Sequence, residues 1–119
     1  MSEAISWVLE LAIKDGQLDA FKALAQEMSD ATQADEPGTS HYEWFISEDG
    51  KAVHIYERYA DSAVLMTHIG NFGEKFAERF LAWAEPTRWL VYGDPSAEVR
   101  ETLASFGVVH MAQFAGFTR

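Results

Sequence analysis

The segment "SHYEWFISEDGKAVHIYERY" constrains the fold more than any other part of the chain. Two strand-like alternations flank Asp49-Gly50, a strong hairpin signal. It predicts a type I′ turn, which needs positive φ at both central residues. Such a turn sets a register: Glu48 pairs with Lys51, Ile46 with Val53, Trp44 with Ile55 and Tyr42 with Glu57. On the opposite face Phe45 meets His54, Glu43 meets Tyr56 and His41 meets Arg58, a wetter set. Glu57 therefore shares its face with aromatic and aliphatic side chains, where a carboxylate is costly unless paired.

The remaining elements follow from periodicity. Ile5 to Lys14 alternates as a strand and Asp15-Gly16 breaks it. Leu18, Phe21, Leu24, Ala25 and Met28 form one stripe, predicting a helix from about Gln17 to Ala31. "QADEPGTS" reads as a polar loop turned by Pro37-Gly38. Asp61 is an expected N-cap for a helix whose stripe is Leu65, Ile69, Phe72, Phe76 and Phe80. Gly70 and Gly73 are expected to bend or break that helix, Pro86 to end it, and "TRWLVYG" to form the next strand. Asp94-Pro95 suggests a cap and a first-turn proline. Val99, Leu103 and Phe106 then give a short helix stopped by Gly107, and "VVHMAQFAGF" a last strand.

The order is β-α-β-β-α-β followed by α-β. Its first six elements match a ferredoxin-like α+β arrangement, an antiparallel sheet with helices on one face, in a single domain over residues 1–119. The bare face of that sheet would show Val8, Ala12, Phe45, Tyr56, Leu90 and Tyr92. So much apolar surface points to a homodimer; the alternative is cover by the C-terminal helix and strand.

Bulk properties exclude several functions. With 19 acidic and 9 basic residues, the net charge of -10 repels phosphate backbones and makes nucleic acid an unexpected partner. The absence of cysteine removes disulfides, thiol nucleophiles and zinc-thiolate sites. No apolar run approaches the ~20 residues that span a bilayer. Met1 to Lys14 lacks a basic leader region, so a cytoplasmic protein without membrane contact is expected. No H-x-x-x-H, G-x-G-x-x-G or G-x-S-x-G motif occurs, so neither a metal site nor a nucleotide cofactor nor a serine nucleophile is expected.

The stretch "EPGTSHYEWFISEDGKAVHIYERYADSAVLMTHIGN" resembles the antibiotic biosynthesis monooxygenase family of the dimeric α+β barrel superfamily. The resemblance rests on the acidic-Pro-Gly turn, the tyrosine of the second strand, the "YERYADSA" switch and the histidine of "LMTHIG". It covers about residues 5–93 and leaves 94–119 as a C-terminal extension. It implies a homodimer of facing sheets, with a pocket in each subunit between sheet and helices. It also implies a range of activities that includes cofactor-free oxidation of quinol-type aromatics. In the haem-degrading branch the first strand typically carries an asparagine; here Asn71 lies outside that strand.

On this pattern Trp7, Tyr42, Trp44, Glu57 and Tyr59 share the helix-covered side, and His68 flanks the apolar stripe of the next helix. A mostly aromatic cavity with a few polar groups is the composition of a small-molecule site. Glu57 or His68 is then the candidate catalytic base, and Tyr42, Trp44, Tyr59 and Trp7 the candidate substrate-binding walls, for a small aromatic ligand and without a cofactor. The alternatives are a non-catalytic binding module of the same fold, or a purely structural Glu57–His68 pair. His41 and His54 fall on the outer face, and His110 in the extension.

Overall fold

The computed structural model describes residues 3–119; residues 1 and 2 of the expected domain and leader region lie outside it. The elements run β1 (Ile5–Ile13), α1 (Leu18–Asp35), β2 (Thr39–Ile46), β3 (Ala52–Tyr59), α2 (Ser62–Lys75), α3 (Ala77–Trp83), β4 (Ala84–Tyr92), α4 (Ala97–Leu103) and β5 (Val109–Met111). A short 3-10 turn, Ala104–Phe106, follows α4.

The five strands form one sheet in the order β2-β3-β1-β4-β5. The first four are antiparallel neighbours, as a ferredoxin-like fold requires. The sheet as a whole is mixed, because β5 joins β4 in parallel through Leu90↔Val109 and Tyr92↔Met111. Alternation sorts each strand. Ile5, Trp7, Leu9 and Leu11 of β1 and Val53, Ile55, Glu57 and Tyr59 of β3 are buried on one face. All helices with a buried stripe pack on that face.

The β2–β3 register is the expected one, with Tyr42↔Glu57, Trp44↔Ile55 and Phe45↔His54. The turn that produces it is not a type I′ turn. Among the described residues no non-glycine has positive φ, so Asp49 has negative φ and of the two turn residues only Gly50 is left-handed, at φ 72°. Ser47 closes the loop instead. Its N–H donates to Ala52 O at 2.9 Å, its O accepts from Gly50 N–H at 3.0 Å, and its Oγ accepts from Ala52 N–H at 3.0 Å. The longer loop preserves the same pairing parity.

Other boundaries move for clear reasons. α1 runs on to Asp35, because Thr32 continues the buried stripe of Phe21, Leu24 and Met28. Gly70 and Gly73 do not break α2. The roughly 1 kcal/mol that each glycine costs is outweighed by burying the stripe around Leu65 and His68. The break falls at Phe76, whose φ of -127° leaves the helical region. β4 begins at Ala84 and contains Pro86, opposite Leu11 at a bulge in the β1–β4 ladder. Because β5 reaches only residues 90–92, Pro86 sits where β4 is still an edge, and its missing N–H costs no ladder bond. Asp61 caps α2 as expected, accepting from Val64 N–H at 2.9 Å. α4 is capped by Ser96 rather than Asp94, through Val99 N–H at 3.3 Å.

The core divides in two. One cluster joins α1 and α3 to Leu9, Leu11, Val53 and Ile55; the other joins α2 and α4 to Ile5, Trp7, Tyr59 and Val91. Trp89 packs against both. Since Val99 and Leu103 of α4 belong to the second cluster, that helix covers the inner face. It leaves Phe45 on the outer face 55% exposed.

Candidate functional site

Between the two clusters lies a cavity of about 250 Å³. Its floor is Trp7, Leu9, Tyr42, Ile55, Glu57 and Trp89, all from the sheet. α2 contributes His68, Ile69 and Phe72, and α3 contributes Phe80 and Leu81. Deep residues are buried, whereas Leu81, Thr87 and Phe106 at the other end are exposed.

Of the residues expected from sequence, Trp7, Tyr42, Glu57 and His68 line this space. Trp44 and Tyr59 do not. Trp44 lies further along β2, under α1, with its ring 5.9 Å from Phe21 and 5.3 Å from Tyr42. Tyr59 is fully buried behind the site, edge-on to Trp7 at 5.1 Å and tilted against His68 at 5.3 Å.

His68 is the hub. Its Nε2 lies 3.0 Å from Glu57 Oε1 and its Nδ1 lies 2.8 Å from Glu36 Oε1. Tyr59 Oη donates to the same Oε1 of Glu57. Asn71 Nδ2 donates to Glu36 Oε2 at 3.2 Å, and Thr39 Oγ1 to Glu36 Oε1 at 3.3 Å. Glu36, Glu57 and His68 are all buried, at 7%, 3% and 6% exposure.

This arrangement fixes charge. Burial disfavours an imidazolium, but hydrogen bonds to Glu36 and Glu57 and the charges of both carboxylates outweigh it, raising the His68 pKa to about 9. Both ring nitrogens then donate, so neither keeps a lone pair for a metal. Glu36 titrates below the ordinary carboxylate range: burial pushes it up, but the bond to His68, the His68 charge and the bonds from Asn71 and Thr39 prevail. Tyr42 and Tyr59 are pushed well above the usual phenol value, by burial first and then by the Glu57 charge, so both remain donors.

Glu36 enters the sequence analysis only as the acid of the acidic-Pro-Gly turn, not as a site residue, because it falls in the polar "QADEPGTS" stretch. A signal was present: Phe21, Leu24, Met28 and Thr32 recur at helical spacing, and Glu36 continues the series. It forms the C-cap of α1, its N–H donating to Thr32 O at 2.9 Å. The following turn is held down at Gly38, whose O accepts from Ala60 N–H at 3.0 Å. A Cβ at Gly38 would stand 2.5 and 2.8 Å from the Val64 methyls, so only glycine allows this close approach to α2. His41 and His54 lie on the outer face, near Ser40 (2.9 Å) and Glu10 (3.5 Å) respectively.

The indole N–H groups of Trp7, Trp44 and Trp89 are buried without a hydrogen-bond partner. A buried orphan donor costs about 1–3 kcal/mol.

A ferredoxin-like sheet covered on one face, with a mostly aromatic cavity between sheet and helices, defines the class of the protein. The antibiotic biosynthesis monooxygenase model matches residues 4–85, and the chain belongs to that family. Its structure is similar to MupZ from Pseudomonas fluorescens, at 26% identity and a TM-score of 0.89, covering 100% of this chain and 91% of MupZ. SnoaB, a cofactor-independent oxygenase from Streptomyces nogalater, shares the fold at 12% identity and a TM-score of 0.67, over 81% of this chain and 97% of that one. A conserved protein from Methanosarcina mazei Go1 does so at 18% identity and a TM-score of 0.66, over 75% and 90%. A comparison with curated proteins found no match. Among the described residues no group of three or more His, Asp or Glu is placed to hold a metal ion, and no helix is long and apolar enough to cross a membrane.

Proposed function

We propose that the protein is a cofactor-independent monooxygenase for a small, electron-rich aromatic such as a quinol. The observation that carries this reading is the buried Glu57–His68 pair in the wall of an otherwise aromatic cavity. Glu57 takes the proton of a ring hydroxyl. The His68 imidazolium beside it stabilises the phenolate that forms, and the Tyr42 hydroxyl orients the ring oxygens against the Trp7 and Trp89 rings. The phenolate, once desolvated, is the reductant for oxygen. A quinol goes to its hydroxyquinone, one O₂ is consumed, one oxygen atom enters the ring and the other leaves as water.

Oxygen uptake with 1,4-dihydroxynaphthalene tests this, with ¹⁸O₂ to follow the label. The expected result is enzyme-dependent uptake with one labelled atom per product, falling by about 10²–10⁴-fold in Glu57→Gln. Uptake no faster than autoxidation, or unlabelled product, overturns it.

One observation favours a second reading, a binding module without turnover. Glu57 Oε1 already accepts from both Tyr59 and His68, so a ligand hydroxyl has to compete with them for it. Tight ligand binding without oxygen uptake would select it.

The functional unit in either case is a homodimer. Val8, Tyr56, Leu90 and Tyr92 are half-buried and Phe45 is exposed on the outer face, and α4 does not cover them. Phe114 and Phe117 of the tail are exposed as well, at 99% and 77%. Surface of this kind supports burial against a second copy.

A further inference from the structure

The family match stops at residue 85, but the cavity does not. One wall comes from the chain beyond: Trp89 of β4, then Thr102, Leu103, Phe106 and Gly107. These residues are held differently. Leu103 is 1% exposed and fixes α4 in the cluster around Trp7 and Leu65. Thr102 turns its hydroxyl back to Glu98 O at 2.8 Å. Phe106, on the 3-10 turn, is 61% exposed and touches the cavity through Trp89, ring centroids 5.8 Å apart.

From this we infer that the segment from Asp94 to Gly107 is the specificity element of the cavity, and that Phe106 is the side chain that limits ligand size. The inference rests on reading the cavity as a ligand site and is independent of the oxygen chemistry. A cavity of about 250 Å³ is at the small end of ligand pockets, a size suited to a small fused-ring aromatic. The deep walls belong to packed clusters and cannot yield without opening voids. Phe106 is the aromatic wall residue whose loss removes little buried area, and its removal lengthens the cavity at its outer end. The part of the chain outside the family match thus sets what enters a site whose polar groups lie inside it.

Binding of two phenols to the full chain tests this: 1-naphthol, with two rings, and 1-hydroxypyrene, with four. The quantity read is the ratio of their dissociation constants by equilibrium dialysis, in the wild type, Phe106→Ala and Phe106→Leu. Phe114→Ala, which removes an exposed aromatic outside the cavity, is the control. Wild type is expected to prefer 1-naphthol. Both Phe106 variants are expected to move the ratio toward 1-hydroxypyrene, by about tenfold for alanine. Phe106→Leu keeps an apolar contact on Trp89 and reads the same way should alanine disturb the turn. A shift below about threefold in both variants, an equal shift in Phe114→Ala, or no binding of 1-naphthol to folded wild type overturns the inference. A shifted ratio without oxygen uptake leaves it standing and removes the oxygenase reading. Oxygen uptake with an unshifted ratio does the reverse.

Discussion

Glu36 stands 2.8 Å from Nδ1 of His68, and this contact helps decide the charge of a ring that borders the cavity. Glu36 closes α1, His68 belongs to α2, and neither would be an ion-pair partner of the other in a local stretch of chain. With Glu57 on the other ring nitrogen, the imidazole is held between two buried carboxylates.

The first prediction concerns pH. The folded pKa of His68, about 9, is raised above its ordinary 6.5. The stabilisation it brings is therefore complete below about 6.5 and is lost as pH rises through about 9. It is on the order of 3 kcal/mol. Glu36 acts at the other end: its pKa is lowered, so its contribution is present above the ordinary carboxylate value and fades as pH falls through the folded one. Thermal melts should show stability falling between about pH 6.5 and 9 and levelling off above, a fall that disappears in a His68→Gln variant. A titration of the His68 ring carbons near its ordinary 6.5 would refute the assignment.

Replacing Glu36 by glutamine removes one of the charges that hold the proton. The His68 titration should move down and the protein should lose about 1–3 kcal/mol, the range for disturbing a buried hydrogen-bonded group. Cavity ligands should still bind, since Glu36 does not line the space. Heteronuclear NMR of the ring gives the first result and denaturant unfolding the second.

His68→Gln leaves two buried carboxylates without their cation. Breaking a buried pair in this way costs roughly 3–5 kcal/mol. The loss relative to wild type should shrink as pH rises from about 6.5 through about 9, because the wild-type ring gives up its proton over that range. A variant as stable as wild type below pH 6.5 would show that the carboxylates do not depend on His68.

Gly38→Ala should be destabilising out of proportion to its size. The new Cβ meets Val64 at 2.5 and 2.8 Å, so either the turn or the start of α2 must move. Overpacking of this kind costs about 1–3 kcal/mol. Val64→Ala in the same chain should restore part of the loss, and a double-mutant cycle measures the coupling.

Sedimentation of the wild type at micromolar concentration should give a dimer, and Phe45→Asp should shift it toward monomer with the fold retained. Phe45 is exposed in the single chain, so a purely monomeric protein would tolerate aspartate there without change.

Periodicity alone carried much of the fold. Alternation put Glu57 and Trp7 on one side of the sheet, and the stripe through Leu65 placed His68 beside it. These are local properties: a strand repeats every two residues and a helix every 3.6, so the facing of each side chain is written into its neighbours. Even the β2–β3 register survived a wrong turn type, because Ser47↔Ala52 closes the loop with the same parity. What only the tertiary structure decided is which faces meet. Trp44 is on the expected side, but α1 covers that end of β2, so it packs on Phe21 and leaves the cavity to Tyr42. Tyr59 alternates correctly, yet α2 and α4 close over it in a second core cluster. Glu36 joined the site because α1 runs one turn further than its apolar residues suggest. The wall at Leu103 and Phe106 comes from a segment far along the chain. Such choices depend on contacts between distant elements, where burial against one helix excludes another, and no repeat within a short window encodes them.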